Sequence, residues 1–328
     1  MARARVFVTQ PVASSALDRL KPLAEVTVNP DASHILPRDR LIEGMKTTDI
    51  LYCLLHDTID REVMSAKPGL RAIASQSITP DRIDVAAATE LGIPVTVVPA
   101  VVTEATADIA FALLLAVARR IVEGDALVRA GGFPGAQSAH LLGGDVSGKT
   151  IGLIGGKGRI GQAVARRAHG FAMRVLYWGP RRLPEDEEQA AGLEYIDFDD
   201  LLRGSDFVSL HAAMRPETHH LMSDREFGLM KPTAYIVNTA RGPIIDEKAL
   251  VRALQAGEIA GAGLDVFENE PHVEPELLRM KNVVLAPHLG SAAHDVREGM
   301  AHRVVDNIIA LIEGKTPPNC VNPEVLAG

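Results

Sequence analysis

The sequence predicts an α/β protein built from two doubly wound parallel sheets with helices on both faces. Short β-rich runs alternate with helical patterns along nearly the whole chain, the order expected of parallel strands joined by helical crossovers. The chain has 328 residues, enough for about two domains. The alternation falls into two series of similar size, separated by a long helical stretch and a segment at 131–148 rich in Gly, Ser and His.

In the first series, 5–9, 25–28, 50–54, 71–75 and 95–97 read as strands, with helical stretches such as 14–20 and 38–45 between them. Residues 103–130 read as one long helix or two abutting ones. Thr103 and Thr106 offer N-cap hydroxyls, and Gly131-Gly132 stops the run. In the second series the strands are 150–154, 174–178, 207–210, 235–238, 263–266 and 283–286. A final helix is expected from about 291 to 313, ended by Gly314.

Composition narrows the function. Hydrophobic residues make up 47% and charged residues 23%, a globular balance. The net charge is -8 and no Lys/Arg tract occurs, so the electrostatic footprint of a nucleic-acid binder is missing. An anionic substrate therefore needs local positive charge supplied by the site. Two cysteines, Cys53 and Cys320, exclude a disulfide framework, and no spacing of ligand residues marks a resident metal. The N-terminal residues lack the apolar run of a signal peptide and read as a first strand. The most apolar run, 109–118, is about half a membrane span and suits a buried helix. No membrane partner and a cytoplasmic location are expected.

The run Ile151-Gly152-Leu153-Ile154-Gly155-Gly156-Lys157-Gly158-Arg159-Ile160-Gly161 is a strand, a glycine turn and a helix start. Gly156, Gly158 and Gly161 fit G-x-G-x-x-G. One glycine makes the turn, one lets backbone reach a pyrophosphate, and one lets helix and strand pack closely. Amides at the helix N-terminus would face the phosphates. A bare glycine-rich loop is often only a turn, but an apolar strand before it and an amphipathic run after it complete the dinucleotide pattern. The next strand ends at Trp178, where NAD-selective sites usually carry an acid for the ribose 2′-hydroxyl. Arg181 and Arg182 follow and could pair with a 2′-phosphate. The sequence therefore favours NADP(H), with NAD(H) the alternative. The plainer reading makes both arginines solvated loop charges.

Three further strand ends carry charge: Asn238-Thr239-Ala240-Arg241-Gly242, Asp265-Val266-Phe267-Glu268-Asn269-Glu270, and Pro287-His288-Leu289-Gly290. Ligands of doubly wound sheets collect outside the carboxyl ends of strands. Reducing a 2-oxo acid needs a cation for the carboxylate and a proton donor for the developing alkoxide. Arg241 suits the first task and His288 the second. Glu270, hydrogen-bonded to His288, would orient the ring and stabilise the imidazolium. Taken singly, each residue is more readily a surface or turn residue; the joint pattern is what points to a site.

That joint pattern resembles the D-2-hydroxyacid dehydrogenase family, and within it the glyoxylate/hydroxypyruvate reductase branch. The likeness spans nearly the whole chain. It rests on Arg159-Ile160-Gly161-Gln162-Ala163-Val164 after the turn, on Met230 to Gly242, on Ile259 to Pro271, and on Pro287 to Ser291. The resemblance implies a Rossmann-like dinucleotide domain at 101–289, inserted in a discontinuous flavodoxin-like substrate domain at 1–100 plus 290–328, with the active site in the interdomain cleft. It places the catalytic Arg, Glu and His on Arg241, Glu270 and His288. Cofactor contacts would fall on Thr106, Gly158, Arg159, Ile160, His211, Thr218, Thr239, Asp265, His288 and Gly290. It also implies a homodimer, paired through the long helix and arm at 103–148.

Three departures stand out. The glycine turn is one residue longer than usual for the family. The loop that holds the substrate carboxylate reads Ser77-Ile78-Thr79-Pro80, where Thr79 takes a glycine place and Pro80 lacks an N–H. Amides of Ser77, Ile78 or Thr79, or the hydroxyls of Ser77 or Thr79, would have to serve instead. After His211 comes Ala212-Ala213-Met214, where relatives commonly have proline. His56 sits where relatives place a substrate-facing loop, with an ordinary surface role as the alternative. Glyoxylate, hydroxypyruvate or a 2-keto sugar acid are the expected substrates. Formate or phosphite oxidation is disfavoured because formate dehydrogenases pair their His with Gln. Phosphoglycerate dehydrogenases often carry a further regulatory domain, which this chain is expected to lack. A dinucleotide-sensing corepressor on the same scaffold is the reading from another functional class.

Overall fold

The computed structural model describes residues 3–99 and 101–326. The chain divides into two compact units, Met1–Val101 with Ala293–Gly328, and Val102–Ala292.

The first unit is a five-stranded parallel sheet. Its elements run β1 (Ala4–Val8), α1 (Ser14–Leu20), β2 (Ala24–Val28), α2 (Arg38–Met45), β3 (Ile50–Cys53), α3 (Arg61–Ser65), β4 (Ala72–Ser75), α4 (Val85–Glu90) and β5 (Val95–Thr96). The strand order is β2-β1-β3-β4-β5, the flavodoxin-like winding. Strands buried on both faces need apolar side chains in succession, and β3 (Ile-Leu-Tyr-Cys) is buried throughout. β5 is one residue shorter than its sequence suggests, and its outer edge is paired with residues 319–321. The Val321 amide donates to the Val95 carbonyl, and the Val97 amide to that of Asn319. The Asn322 side chain ties both ends of this seam, accepting from the Val95 amide at 2.8 Å and donating to the Ile93 carbonyl at 2.9 Å. A C-terminal segment thus becomes part of the N-terminal sheet and covers an edge that would otherwise be exposed.

The second unit begins with α5 (Thr103–Ala118) and α6 (Ile121–Arg129). It continues with β6 (Thr150–Ile154), α7 (Arg159–Gly170), β7 (Arg174–Trp178), α8 (Glu185–Ala191), β8 (Glu194–Tyr195), α9 (Phe198–Gly204), β9 (Phe207–Leu210), α10 (Asp224–Leu229), β10 (Tyr235–Asn238), α11 (Glu247–Ala256), β11 (Gly261–Leu264) and β12 (Val283–Leu285). The last helix, α12 (His294–Ile312), belongs to the first unit. The second sheet is all parallel in the order β12-β11-β10-β9-β6-β7-β8, a Rossmann-like winding that reverses direction at β6. Alternate residues serve two cores. Ile154, Val208 and Ile236 face one, and Leu153, Phe207 and Val237 face the other.

Several elements differ from their sequence expectation. The stretch 103–130 takes the second of its two expected forms, two abutting helices, parted where Arg120 takes φ 54°. Thr103 and Thr106 do not cap α5. The N-cap position is Val102, and no side chain caps it. The strand expected at 263–266 lies at Gly261–Leu264, where α5 packs closely on it: a Cβ at Gly263 would sit 3.0 Å from that of Leu113. The two-residue β8 has no counterpart in the expected set. No helix of the described residues is long and apolar enough to cross a membrane.

Candidate active site

Every cofactor candidate assigned to a strand end in the second unit lies at the carboxyl edge of its sheet. Gly156 lies two residues past β6, Trp178 ends β7, His211 follows β9, Thr239 follows β10, Asp265 follows β11, and His288 lies three residues past β12. Because the winding reverses at β6, this edge opens beside β6 and β9, where doubly wound sheets bind ligands.

The glycine turn works differently from the sequence reading. The left-handed residue is Gly155, at φ 87°, one position earlier than Gly156. A Cβ on Gly155 would strike the His211 carbonyl carbon at 2.7 Å and the Ala212 amide at 2.8 Å. The extra residue is thus absorbed at the strand end, where β6 passes close under the loop after β9. A Cβ on Gly156 would meet that of Tyr177 at 2.6 Å, and one on Gly161 would meet the Gly156 Cα at 2.6 Å, so these two serve packing. Gly158 is the N-cap of α7, with Arg159 and Ile160 in its first turn. First-turn amides have no partner within their helix and are suited to phosphate oxygens. The Lys157 Nζ reaches towards the Arg182 carbonyl, 3.5 Å away.

Two buried polar atoms at this edge have no partner among the described residues, His211 Nδ1 and Thr239 Oγ1. An unsatisfied buried polar atom is costly and marks a place where a ligand supplies the missing bond. With the glycine cradle, these two atoms fit a dinucleotide cofactor. The other His211 nitrogen, Nε2, lies 2.9 Å from Ser209 Oγ. Burial pushes the His211 pKa down to about 4, so the ring is neutral at neutral pH. Thr218 is occupied locally: its hydroxyl donates towards the Ala213 carbonyl at 2.8 Å and accepts from the Arg215 amide at 2.8 Å, folding the loop after β9.

The arginines after β7 are unequal. Arg182 makes a two-pronged ion pair with Glu188, at 2.8 and 2.7 Å. Glu188 also accepts from the Tyr177 hydroxyl at 2.5 Å, and that hydroxyl accepts from the Leu183 amide at 2.7 Å. The Arg182 guanidinium pulls the Glu188 carboxyl down to about 2. Arg182 thus braces the loop, a role invisible in the sequence because its partner lies one helix further on. Arg181 is exposed and makes no such pair among the described residues. The Trp178 ring packs on Phe198, centroids 4.7 Å apart.

The chemical centre is a pair. His288 Nδ1 lies 2.9 Å from Glu270 Oε2. The other Glu270 oxygen accepts the Phe267 amide at 3.0 Å, so the carboxylate is oriented by backbone. His288 takes φ 54°, a left-handed backbone that non-glycine residues adopt rarely and that clusters at functional sites. A clamp imposes it. The His288 amide donates to the Asp265 carbonyl at 2.9 Å. The buried Asp265 carboxylate accepts the Leu289 amide at 2.6 Å and the Gly290 amide at 2.8 Å. Thr106 Oγ1 donates to the Gly290 carbonyl at 3.0 Å. Burial raises the Asp265 pKa, and the amides and the neighbouring imidazole oppose that rise. Thr106, Asp265 and Gly290, expected as cofactor contacts, are therefore bonded to one another around His288.

Arg241 follows β10 in a turn that Asn238 closes, accepting the Ala240 amide and donating to the Arg241 carbonyl, both at 3.0 Å. One guanidinium nitrogen donates to the Ala240 carbonyl at 2.7 Å. Gly242 seats this turn against the loop that carries Glu270. A Cβ there would lie 1.9 Å from the Phe267 carbonyl carbon and oxygen. The Arg241 turn and the Phe267–Glu270 loop are thus in backbone contact, and the invitation to see it was the glycine directly after the arginine.

The remaining candidates belong to the first unit. Ser77 Oγ bonds with Ser75 Oγ and donates to the Thr79 carbonyl, each at 2.7 Å. Thr79 Oγ1 donates to Asp81 at 2.8 Å. Both hydroxyls therefore hold the loop. The amides of Ser77 and Ile78 make no backbone hydrogen bond among the described residues. His56 is half-buried next to Asp57, which accepts from Thr9 Oγ1 at 2.5 Å and from the Leu54 amide at 2.7 Å.

A dinucleotide cradle at the winding reversal, sharing its sheet edge with a carboxylate–imidazole pair, defines a nicotinamide-linked oxidoreductase acting on a CH–OH group. Residues 111–290 match the family described as D-isomer specific 2-hydroxyacid dehydrogenase, NAD binding domain. The chain is 48% identical over 326 residues to the glyoxylate reductase of Thermococcus litoralis, covering 98% of both chains. It is 35% identical to the crystal structure of a glyoxylate reductase from Paecilomyes thermophila, covering 99% of this chain and 100% of that one, with a TM-score of 0.83. An NADPH-dependent glyoxylate/hydroxypyruvate reductase from Sinorhizobium meliloti, solved with NADP and malonate, matches at 31% identity and TM-score 0.83, covering 98% and 97%. The chain belongs to the D-isomer specific 2-hydroxyacid dehydrogenase family.

Proposed function

We propose that this enzyme reduces small 2-oxo acids, glyoxylate and hydroxypyruvate first, to D-2-hydroxy acids, with NADPH preferred over NADH. The observation that carries the reading is the His288–Glu270 pair, its imidazole held by Nδ1 so that Nε2 is the nitrogen left for substrate. The nicotinamide supplies the hydride when bound. His288 gives its proton to the carbonyl oxygen as that oxygen gains charge, and takes it back in oxidation. Glu270 fixes the ring and balances the imidazolium. Arg241 receives the substrate carboxylate. Ser77, Ile78 and Thr79 are assigned to the same carboxylate through backbone amides, and His56 to a polar substrate tail. His211 Nδ1 and Thr239 Oγ1 are assigned to the cofactor, with the amides of Arg159 and Ile160 on its phosphates.

Relatives named glyoxylate reductase support the substrate class, and the NADPH-dependent relative supports the cofactor. The missing acid at Trp178 and the exposed Arg181 favour a 2′-phosphate, while the bracing role of Arg182 leaves Arg181 as the chief contact. A cytoplasmic homodimer is proposed. No residue of α6 is buried, and Ile121, Val122, Val128, Phe133 and Leu142 are 54–68% exposed, an apolar face suited to a second copy. A panel of 2-oxo acids with each nicotinamide, followed by absorbance, tests the reading. Turnover of glyoxylate or hydroxypyruvate is expected. Binding of the cofactor without turnover of any acid would favour a sensor instead.

A further inference from the structure

We propose that His219, His220 and Glu268 form a binding site for one divalent transition-metal ion of the zinc, nickel or copper kind. The three side chains bring their ligand atoms within 4.8 Å of one another. The His219 and His220 rings stack, with centroids 3.9 Å apart and planes 26° apart. His220 Nε2 lies 2.7 Å from Glu268 Oε1. Backbone holds this arrangement. His220 takes φ 51°, and its amide donates to the Pro243 carbonyl at 2.8 Å. The Glu268 amide donates to Glu247 Oε1 at 2.8 Å, and Glu268 Oε2 lies 3.4 Å from the Glu247 amide.

The surroundings favour a cation. Glu247 and Glu274 both feel the charge of Glu268, Glu276 lies against Glu274, and these acids outnumber the one cation acting on Glu274, Lys248. Two imidazoles and one carboxylate are a donor set for borderline metals, whereas calcium and magnesium prefer oxygen alone. Three protein ligands and one water complete a tetrahedron. Bonds of about 2.0–2.2 Å place donors roughly 3.3–3.6 Å apart, so the rings must close by about 1 Å. His219 is exposed and can make that movement.

The placement gives the ion a consequence. Pro243 follows the Arg241-Gly242 turn, and Gly242 packs on the Phe267–Glu268 backbone. An ion here ties the loop after β9 to the two loops that carry Arg241 and Glu270, stabilising the folded state by mass action.

Zinc titration by calorimetry of chelator-stripped protein tests this, with melting curves confirming that each variant folds. One equivalent of zinc should bind to the unaltered chain and to His288→Ala. His219→Ala, which removes only an exposed ring, and Glu268→Gln should each weaken binding by at least about 10-fold. Zinc should raise the melting temperature of the unaltered chain more than magnesium does. Undiminished affinity in His219→Ala, no saturable binding, or equal binding of magnesium would overturn the site. Loss of binding in His288→Ala would place the ion on the catalytic pair and overturn it too.

Discussion

Thr106 and Asp265 grip opposite sides of one residue: the Thr106 hydroxyl donates to the Gly290 carbonyl at 3.0 Å, and the Asp265 carboxylate accepts the Gly290 amide at 2.8 Å. His288, two residues earlier, sits in a left-handed backbone between this grip and Glu270. The clamp explains how a strained residue can be held in one orientation.

Thr106→Val keeps the volume and removes the bond. The buried Gly290 carbonyl then lacks a partner, which costs about 1–3 kcal/mol. Denaturant unfolding should show that loss, together with a reduced kcat. Unchanged stability and kcat would mean that the clamp is incidental.

Glu270→Gln keeps a hydrogen bond to the ring but removes the charge that balances an imidazolium. Reduction should slow by about 10- to 100-fold in kcat with a smaller change in KM. A rise in KM with kcat intact would assign Glu270 to substrate binding.

Two glycines offer a contrast. Gly242→Ala puts a Cβ 1.9 Å from Phe267 backbone and should cost about 3 kcal/mol or more, with activity lost as the Arg241 turn moves. Gly299→Ala, within α12 and with nothing within 4 Å, should add about 0.5–1 kcal/mol. Denaturation midpoints compare the two directly.

His211 sets an acid limb. Its folded pKa is near 4 against 6.5 for the exposed ring, so between these values the unfolded chain binds more protons. The contribution is complete above pH 6.5 and is lost as pH falls through 4, about 3 kcal/mol in full. His211→Asn should flatten that part of the stability–pH curve. An unaltered slope would show that the ring is not desolvated as described.

Much of this was legible from periodicity. Parallel strands buried on both faces read as apolar runs, so β3, β6, β7, β9 and β10 fall within a residue or so of their expected places. Glu270 and His288 were legible as charged residues at strand ends, and they do meet. What sequence could not show was partnership across elements. Thr106 reads as a cap because a hydroxyl near a helix start usually is one, yet its acceptor lies at residue 290. Arg182 reads as phosphate-binding until Glu188 folds back on it. Gly155 reads as a surplus residue of the glycine turn until the loop after β9 packs above it. The His219–His220–Glu268 cluster joins positions 48 residues apart with no spacing rule to announce it.

The proposed reduction turns on His288 moving the proton. Replacing His288 by Ala and measuring kcat for glyoxylate reduction beside the dissociation constant for NADPH tests it most directly. A fall in kcat of about 100-fold or more is expected, with cofactor affinity nearly intact. Equal loss of both, or a kcat close to that of the unaltered enzyme, would contradict it.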